Sequence, residues 1–282
     1  MQLKEISDKI REEDERIRKK AKELRAHRGL VHEVDKSDLD CTVIGVDGGL
    51  VTRSMHGVDL IMTRACAAEM RFEKNALVNT EYHPSYSEPK LFMDSVESSS
   101  LVRLNEEITL AKKMINDKKP GLLLLDGSIV PTKNDKAANK SEYKKLVSLY
   151  SDLFRVADNN DVPVVGIVED SRATTISSEF EADTIDTVLL HHVLNEGEKT
   201  KSFQLSREVG SHPILKDFDP TVSNNLKAFY IHTAKNDRPL RVEYYDFGID
   251  DEELSSVVAS LADFNPNYGI PCVLVEADLQ AK

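Results

Sequence analysis

Two short apolar runs in this chain each end in an acid followed by glycine: Thr42-Val43-Ile44-Gly45-Val46-Asp47-Gly48-Gly49 and Leu122-Leu123-Leu124-Leu125-Asp126-Gly127-Ser128. Runs this short, bounded by turn formers, read as buried strands. An acid at the end of such a strand stands on rigid backbone at the edge of the core. The glycine beside it removes a side chain, so a phosphate or metal ion can approach closely. Seen once, the pattern is most simply a tight turn after a core strand. Seen twice, it suggests adjacent strands bringing two carboxylates together, as a nuclease or phosphotransferase does to hold a divalent cation.

The 282 residues suffice for one large domain or two modest ones with a sizeable core. No linker-like stretch, internal repeat or low-complexity tract divides them, so one domain is expected over residues 31–282, with a helical arm over 1–30. The charged start, Met1-Gln2-Leu3-Lys4-Glu5, argues against a secretory signal, and no apolar run approaches the roughly 20 residues of a membrane span. Cys41, Cys66 and Cys272 are odd in number and far apart, with no CxxC pair. They read as reduced thiols of a cytoplasmic protein, neither a zinc site nor a disulfide framework. A net charge of −12 argues against a surface that is basic all over. A metal-binding acidic site with a local basic lip remains compatible with it.

Along the chain, Leu3, Ile10, Ile17 and Leu24 recur at a spacing of seven in a very polar helix over 2–28. A strand ending at Asp47 is expected next, then strands over 56–72 and 77–82 and a loop over 83–89. A helix over 95–116 carries Leu101, Leu104, Ile108, Ala111 and Ile115 on one stripe and stops before Pro120. After the strand ending at Asp126 come a polar loop over 131–139, a helix over 141–159 and a strand over 162–168. A helix over 184–195, strands over 201–205, 228–233 and 240–247, a helix over 251–262 and a last helix from 273 complete the reading. Strands first, then helices alternating with strands, predict a mixed α/β sheet covered by helices.

Metal-assisted phosphodiester hydrolysis needs clustered carboxylates, because the cations must reach both the attacking water and the leaving oxygen. Asp47 and Asp126 are the first candidates. A third acid can come from the helix ahead of the second strand, from Glu106 or Glu107, although helix glutamates usually lie on a solvated edge.

These features resemble the NurA nucleases of archaea and some bacteria. The resemblance is carried by the strand-Asp-Gly start, LLLLDGS, VVGIVEDS, the late pair Phe229-Tyr230-Ile231 and Pro239-Leu240-Arg241-Val242-Glu243, and the terminal Tyr268-Gly269-Ile270-Pro271 with Val275-Glu276-Ala277-Asp278. It spans roughly residues 40–282. It implies a ribonuclease-H-like core and a manganese-dependent nuclease, with magnesium as the alternative ion. Such enzymes degrade DNA 5′ to 3′, cut single strands internally, and work as dimers beside the hexameric HerA helicase-translocase in DNA end resection. Carried over by position, Asp47, Glu107, Asp126 and Asp278 would be catalytic metal ligands, with Glu107 chosen over Glu106 by its distance ahead of the second strand.

Two departures stand out. The family commonly has a basic residue before Asp-Ser where this chain has Glu169 ahead of Asp170-Ser171, so either Arg172 supplies the charge, or Glu169 points elsewhere, or catalysis is altered. The chain also stops at Lys282, just after the last motif, where more helix is expected and Asp278 would lie on a frayed end.

The expected DNA lip follows Asp126, where Lys133, Lys136, Lys140, Lys144 and Lys145 cluster against only Asp135 and Glu142. Such residues hold phosphates without reading sequence, though a mixed-charge helix face is also an ordinary solvated surface. Tyr230 and Arg241 are expected to touch DNA or orient the scissile phosphate, or equally to sit on an ordinary strand surface. Tyr82, Tyr86 and Phe92 are placed to stack on splayed bases, or to pack locally.

Two other readings stay open. Actin-like and sugar-kinase-like ATP-binding folds also place Asp-Gly turns after strands. The first turn here lacks an early hydroxyl (Thr52 is late), and the second offers Ser128 with no glycine-rich follow-up. A nuclease-like adaptor without catalysis is the third reading, with Glu169 as its mark.

Overall fold

The computed structural model of the chain describes residues 2–27, 29–56, 58–86, 90–93, 99–138, 140–205 and 212–282. It opens with α1 (Gln2–Arg25) and β1 (Val31–Glu33), then an antiparallel meander of β2 (Thr42–Met55), β3 (Val58–Glu73) and β4 (Ala76–Tyr86). β5 (Lys90–Met93) pairs with the first part of β3, so it continues the edge that β4 occupies further along. Next come α2 (Ser99–Lys118), β6 (Leu122–Asp126), α3 (Lys133–Ala138), α4 (Lys140–Asn160) and β7 (Val164–Val168). α5 (Thr175–Glu179), α6 (Asp186–His191), β8 (Glu198–Thr200), β9 (Phe203–Gln204), α7 (Pro220–Ser223), β10 (Leu226–His232) and β11 (Leu240–Tyr245) follow, then α8 (Asp251–Asp263) and α9 (Cys272–Ala281).

Among the described residues the strands form one sheet in the order β1-β8-β10-β11-β7-β6-β2-β3-β4. β2, β6 and β7 run parallel, and the remaining neighbours are antiparallel. This is the expected ribonuclease-H-like mixed sheet flanked by helices. The apolar runs explain its centre, since strands covered on both faces read as continuous hydrophobic stretches. Leu123 and Leu125 face α2 and α4, packing with Ile108, Ile115, Tyr150 and Phe154. Leu122 and Leu124 face α8 and α9, packing with Val258, Leu261, Val273 and Ala277. Each such leucine contributes about 1.5–3 kcal/mol by leaving water.

Three expectations need correction. β2 does not end at Asp47 but continues to Met55 along β3; only its parallel partner stops, at Asp126. β4 runs through Pro84 into the expected loop, which an edge strand tolerates because proline lacks only a donor. The polar loop after Asp126 contains the short α3. The arm helix divides along its length: Ile17, Ala21 and Leu24 pack with Leu189, Leu190 and Tyr230, whereas Ile6 and Ile10 are exposed.

Candidate active site

The register Val46↔Leu125 is the last parallel pairing between β2 and β6, so Asp47 and Asp126 come next on neighbouring strands. Strand alternation turns both away from α2 and toward α9. Glycines let α9 lie almost on the β2 backbone. A Cβ at Gly45 would stand 2.7 Å from the Val273 carbonyl oxygen, and one at Gly49 would stand 2.8 Å from the Ala281 carbonyl carbon. That approach carries Asp278 over the strand, where its carboxyl adds to the negative charge felt by Asp47. Asp126 adds its charge beside Asp47 as well.

Glu107 arrives from the other face. It is buried on α2 and packs over Gly48, where a Cβ would meet its Cγ at 2.7 Å. Gly48 is therefore needed for space, since its φ is not in the left-handed region. Glu106, one residue earlier, turns instead toward Ser85 Oγ at 3.4 Å on β4.

Burial, followed by the charge of Asp126, raises Asp47 to about 7, against the pull of the Gly48 N–H that it accepts at 2.7 Å. Burial raises Glu107 to about 8 despite Arg103, and burial with the Asp278 charge raises Asp126. Groups crowded in this way hold protons that a cation would displace.

Two positive groups temper the crowding, and neither was singled out from sequence. Arg103 donates to Glu107 at 2.5 Å and to the Gly48 carbonyl at 3.2 Å, and its guanidinium lies 3.9 Å from Asp47. Its signal was the i, i+4 spacing to Glu107, which is usually only a surface pair. Lys282 holds Asp278 at 2.6 Å from the end of α9. Asp278 thus sits on a helix anchored by Val273, Leu274 and Ala277, where a frayed end had been expected. Glu169, at the end of β7, adds another carboxyl. Partial burial and then Asp126 raise it. Neighbouring Asp170 meets Arg238 at 3.5 Å, and Arg172 is exposed on the same loop.

The expected DNA-binding residues separate into two groups. Lys133, Lys140, Lys144 and Lys145 are exposed, with Lys145 paired to Glu142. Lys136 is engaged with Asp217 at 2.5 Å and with the Pro213 carbonyl at 2.7 Å, which leaves it less available to a phosphate. With Lys140 and Lys144 it lines a cavity of about 520 Å³ floored by Tyr143 and Val147. Tyr230 and Arg241 are placed differently from expectation. Both are buried, with Arg241 Nη1 donating to the Tyr230 hydroxyl at 3.2 Å, so neither side chain faces a surface strand. Tyr82 donates to Glu276 at 2.7 Å; the side chains of Tyr86 and Phe92 lie outside the described residues.

The chain matches the NurA domain over residues 3–282. It belongs to the NurA family. The fold of this NurA-family chain is similar to the crystal structure of the NurA nuclease from Sulfolobus solfataricus, at 17% identity and a TM-score of 0.59, covering 99% of this chain and 88% of that one. A crystal structure of NurA with manganese gives 10% identity and a TM-score of 0.59 over 99% and 94% of the two chains. One of NurA bound to dAMP and manganese gives 10% and 0.58 over 99% and 93%. No curated protein matches the sequence. Among the described residues no helix is long and apolar enough to cross a membrane.

The donor set suits a hard divalent cation. Asp47, Glu107, Asp126 and Asp278 offer only carboxylate oxygens, the ligands preferred by magnesium and manganese. The missing side chain at Gly48 is what makes room for the Glu107 carboxylate beside them.

Proposed function

We propose that this NurA-family chain is a divalent-metal-dependent DNA nuclease, with manganese as the working ion and magnesium as the alternative. The observation that carries the reading is the meeting of acids from β2, β6, α2 and α9 at the point where β6 stops and β2 continues. The NurA structures with manganese and with dAMP support it by the likeness of their fold.

Asp47, Glu107, Asp126 and Asp278 would hold the ions. Bound there, divalent cations supply a readily deprotonated water and neutralise charge building on the phosphate. The chain's own contribution is placement. Asp47 and Asp126 stand on strands fixed by core packing, Arg103 steadies Glu107, and Lys282 steadies Asp278. Asp47 and Glu107, raised to about 7 and about 8, would have to release their protons to hold a cation. The exposed lysines of α3 and α4 would hold the DNA backbone.

The reading extends to 5′-to-3′ exonuclease action on single- and double-stranded DNA, internal cutting of single strands, and end resection as a homodimer beside a HerA-type hexameric translocase. Titrating manganese into purified protein with labelled single-stranded DNA tests it, with ATP hydrolysis measured in parallel. Metal-dependent cleavage without ATP turnover is expected. ATP turnover without cleavage would favour the phosphotransferase reading, and neither activity the adaptor.

A further inference from the structure

The loop after Asp126 is held from below by a buried carboxylate. Glu243, on β11, divides its two oxygens: Oε1 accepts from Arg241 Nε at 2.7 Å, and Oε2 accepts from Ser128 Oγ at 2.6 Å and Ile129 N at 3.2 Å. The side chains of Arg241 and Glu243 are only 8% and 5% exposed. In the sheet Glu243 lies beside Gly166 of β7. A Cβ at Gly166 would stand 2.8 Å from Ile129 Cγ2, so the loop folds directly onto the strand there. Gly127 turns the chain with φ 98° and donates its N–H to the Ile167 carbonyl at 2.8 Å.

The other end of Arg241 is anchored as well. Its Nη1 donates to the Tyr230 hydroxyl at 3.2 Å, and that hydroxyl donates to Asp186 at 2.9 Å. Asp186 in turn accepts the Ser177 N–H at 2.7 Å. A line of hydrogen bonds therefore runs from α5 and α6 through the core to the residue two places after Asp126.

A buried ion pair is weak evidence for stability, because apolar residues of similar volume often serve as well. What it offers is direction. A charged acceptor draws neutral donors into short, oriented bonds, and a metal ligand must be kept within about 0.5 Å of its productive place. We propose that Glu243 is a positioning residue for Asp126, acting through Ser128 and Ile129, with Arg241 holding the Glu243 carboxylate in the core. This rests on the reading of Asp126 as a metal ligand.

The test uses the full chain and manganese alone, with affinity followed by electron paramagnetic resonance and unfolding by urea in chelator. Asp126→Asn serves as the reference, beside Glu243→Gln, Ser128→Ala and the double variant Arg241→Met with Glu243→Met. Glu243→Gln retains one acceptor and should weaken manganese binding about 10-fold, whereas the double variant should weaken it about 10–100-fold while keeping its urea midpoint. On labelled single strands kcat should fall and KM should hold. If Glu243→Gln does not fold, the double variant decides. Wild-type manganese affinity in the folded double variant overturns the proposal while Asp126→Asn loses binding. Wild-type affinity in Asp126→Asn overturns the assignment of Asp126 itself, and the positioning role with it.

Discussion

Arg103 and Glu107 lie one helical turn apart on α2, and the guanidinium donates to the buried carboxylate at 2.5 Å. Nearby Asp47, at 3.9 Å, makes Arg103 the internal counter-ion of an otherwise acidic cluster. Arg103→Gln should therefore destabilise the metal-free protein by about 1–3 kcal/mol, the usual cost of stripping a buried acceptor of its donor. Manganese should recover part of that loss. Urea unfolding with chelator and then with manganese measures both, and an unchanged midpoint in chelator would contradict the role.

Protonation sets a second expectation. Burial lifts Asp47 to about 7 and Glu107 to about 8, whereas carboxylates in the unfolded chain titrate near about 4. Between about pH 4 and those values, the unfolded chain releases these protons while the folded protein keeps them. The metal-free protein thus loses stability from these groups as pH rises through the window, and the loss levels off above it. Melting in chelator should show a steeper fall from about pH 5.5 to about pH 8.5 in wild type than in Asp47→Asn. Manganese affinity should rise over the same range, since the ligands must be deprotonated. Parallel melting curves for the two proteins would show that Asp47 is not perturbed.

Two glycines of β2 should fail in different ways. Gly48→Ala pushes on the Glu107 side chain, which can swing aside, so cleavage should drop with a small change in melting temperature. Gly45→Ala pushes on the backbone of α9, which cannot move alone, and should cost about 1–3 kcal/mol through overpacking. Equal destabilisation by the two would refute the separation of roles.

The lysines of α3 and α4 can be sorted by binding. Neutralising Lys140, Lys144 and Lys145 together should weaken single-stranded DNA binding at low salt and flatten its salt slope by roughly 0.7 for each phosphate no longer neutralised. Lys136→Ala should act mainly on stability, because that ammonium serves Asp217 and the Pro213 carbonyl. DNA affinity untouched by the triple change would move the lip elsewhere.

The centre of the fold was legible because the runs at 43–46 and 122–125 are apolar on both faces, which only a covered central strand requires. The same runs pointed to the place of Asp47 and Asp126. The length of β2 was hidden, because Gly48-Gly49 reads as a strand end from one sequence. In three dimensions those glycines stay inside the strand and admit Glu107 and α9. Tyr230 and Arg241 were misread for a related reason. Each is polar at its tip, and only the register Tyr230↔Arg241 shows that they face each other within the sheet. Arg103 escaped notice because an arginine four residues before a glutamate is ordinary on any exposed helix.

The most direct test of the central claim is manganese-dependent cleavage of a 5′-labelled single strand by wild type, Asp47→Asn and Asp126→Asn, with circular dichroism on each. The account predicts that wild type cleaves, that chelator stops it, and that both variants stay folded. Their activity should fall by more than the roughly 10–100-fold that partners outside the ligand shell carry. Full activity in either folded variant would contradict the assignment of the metal site to the junction of β2 and β6.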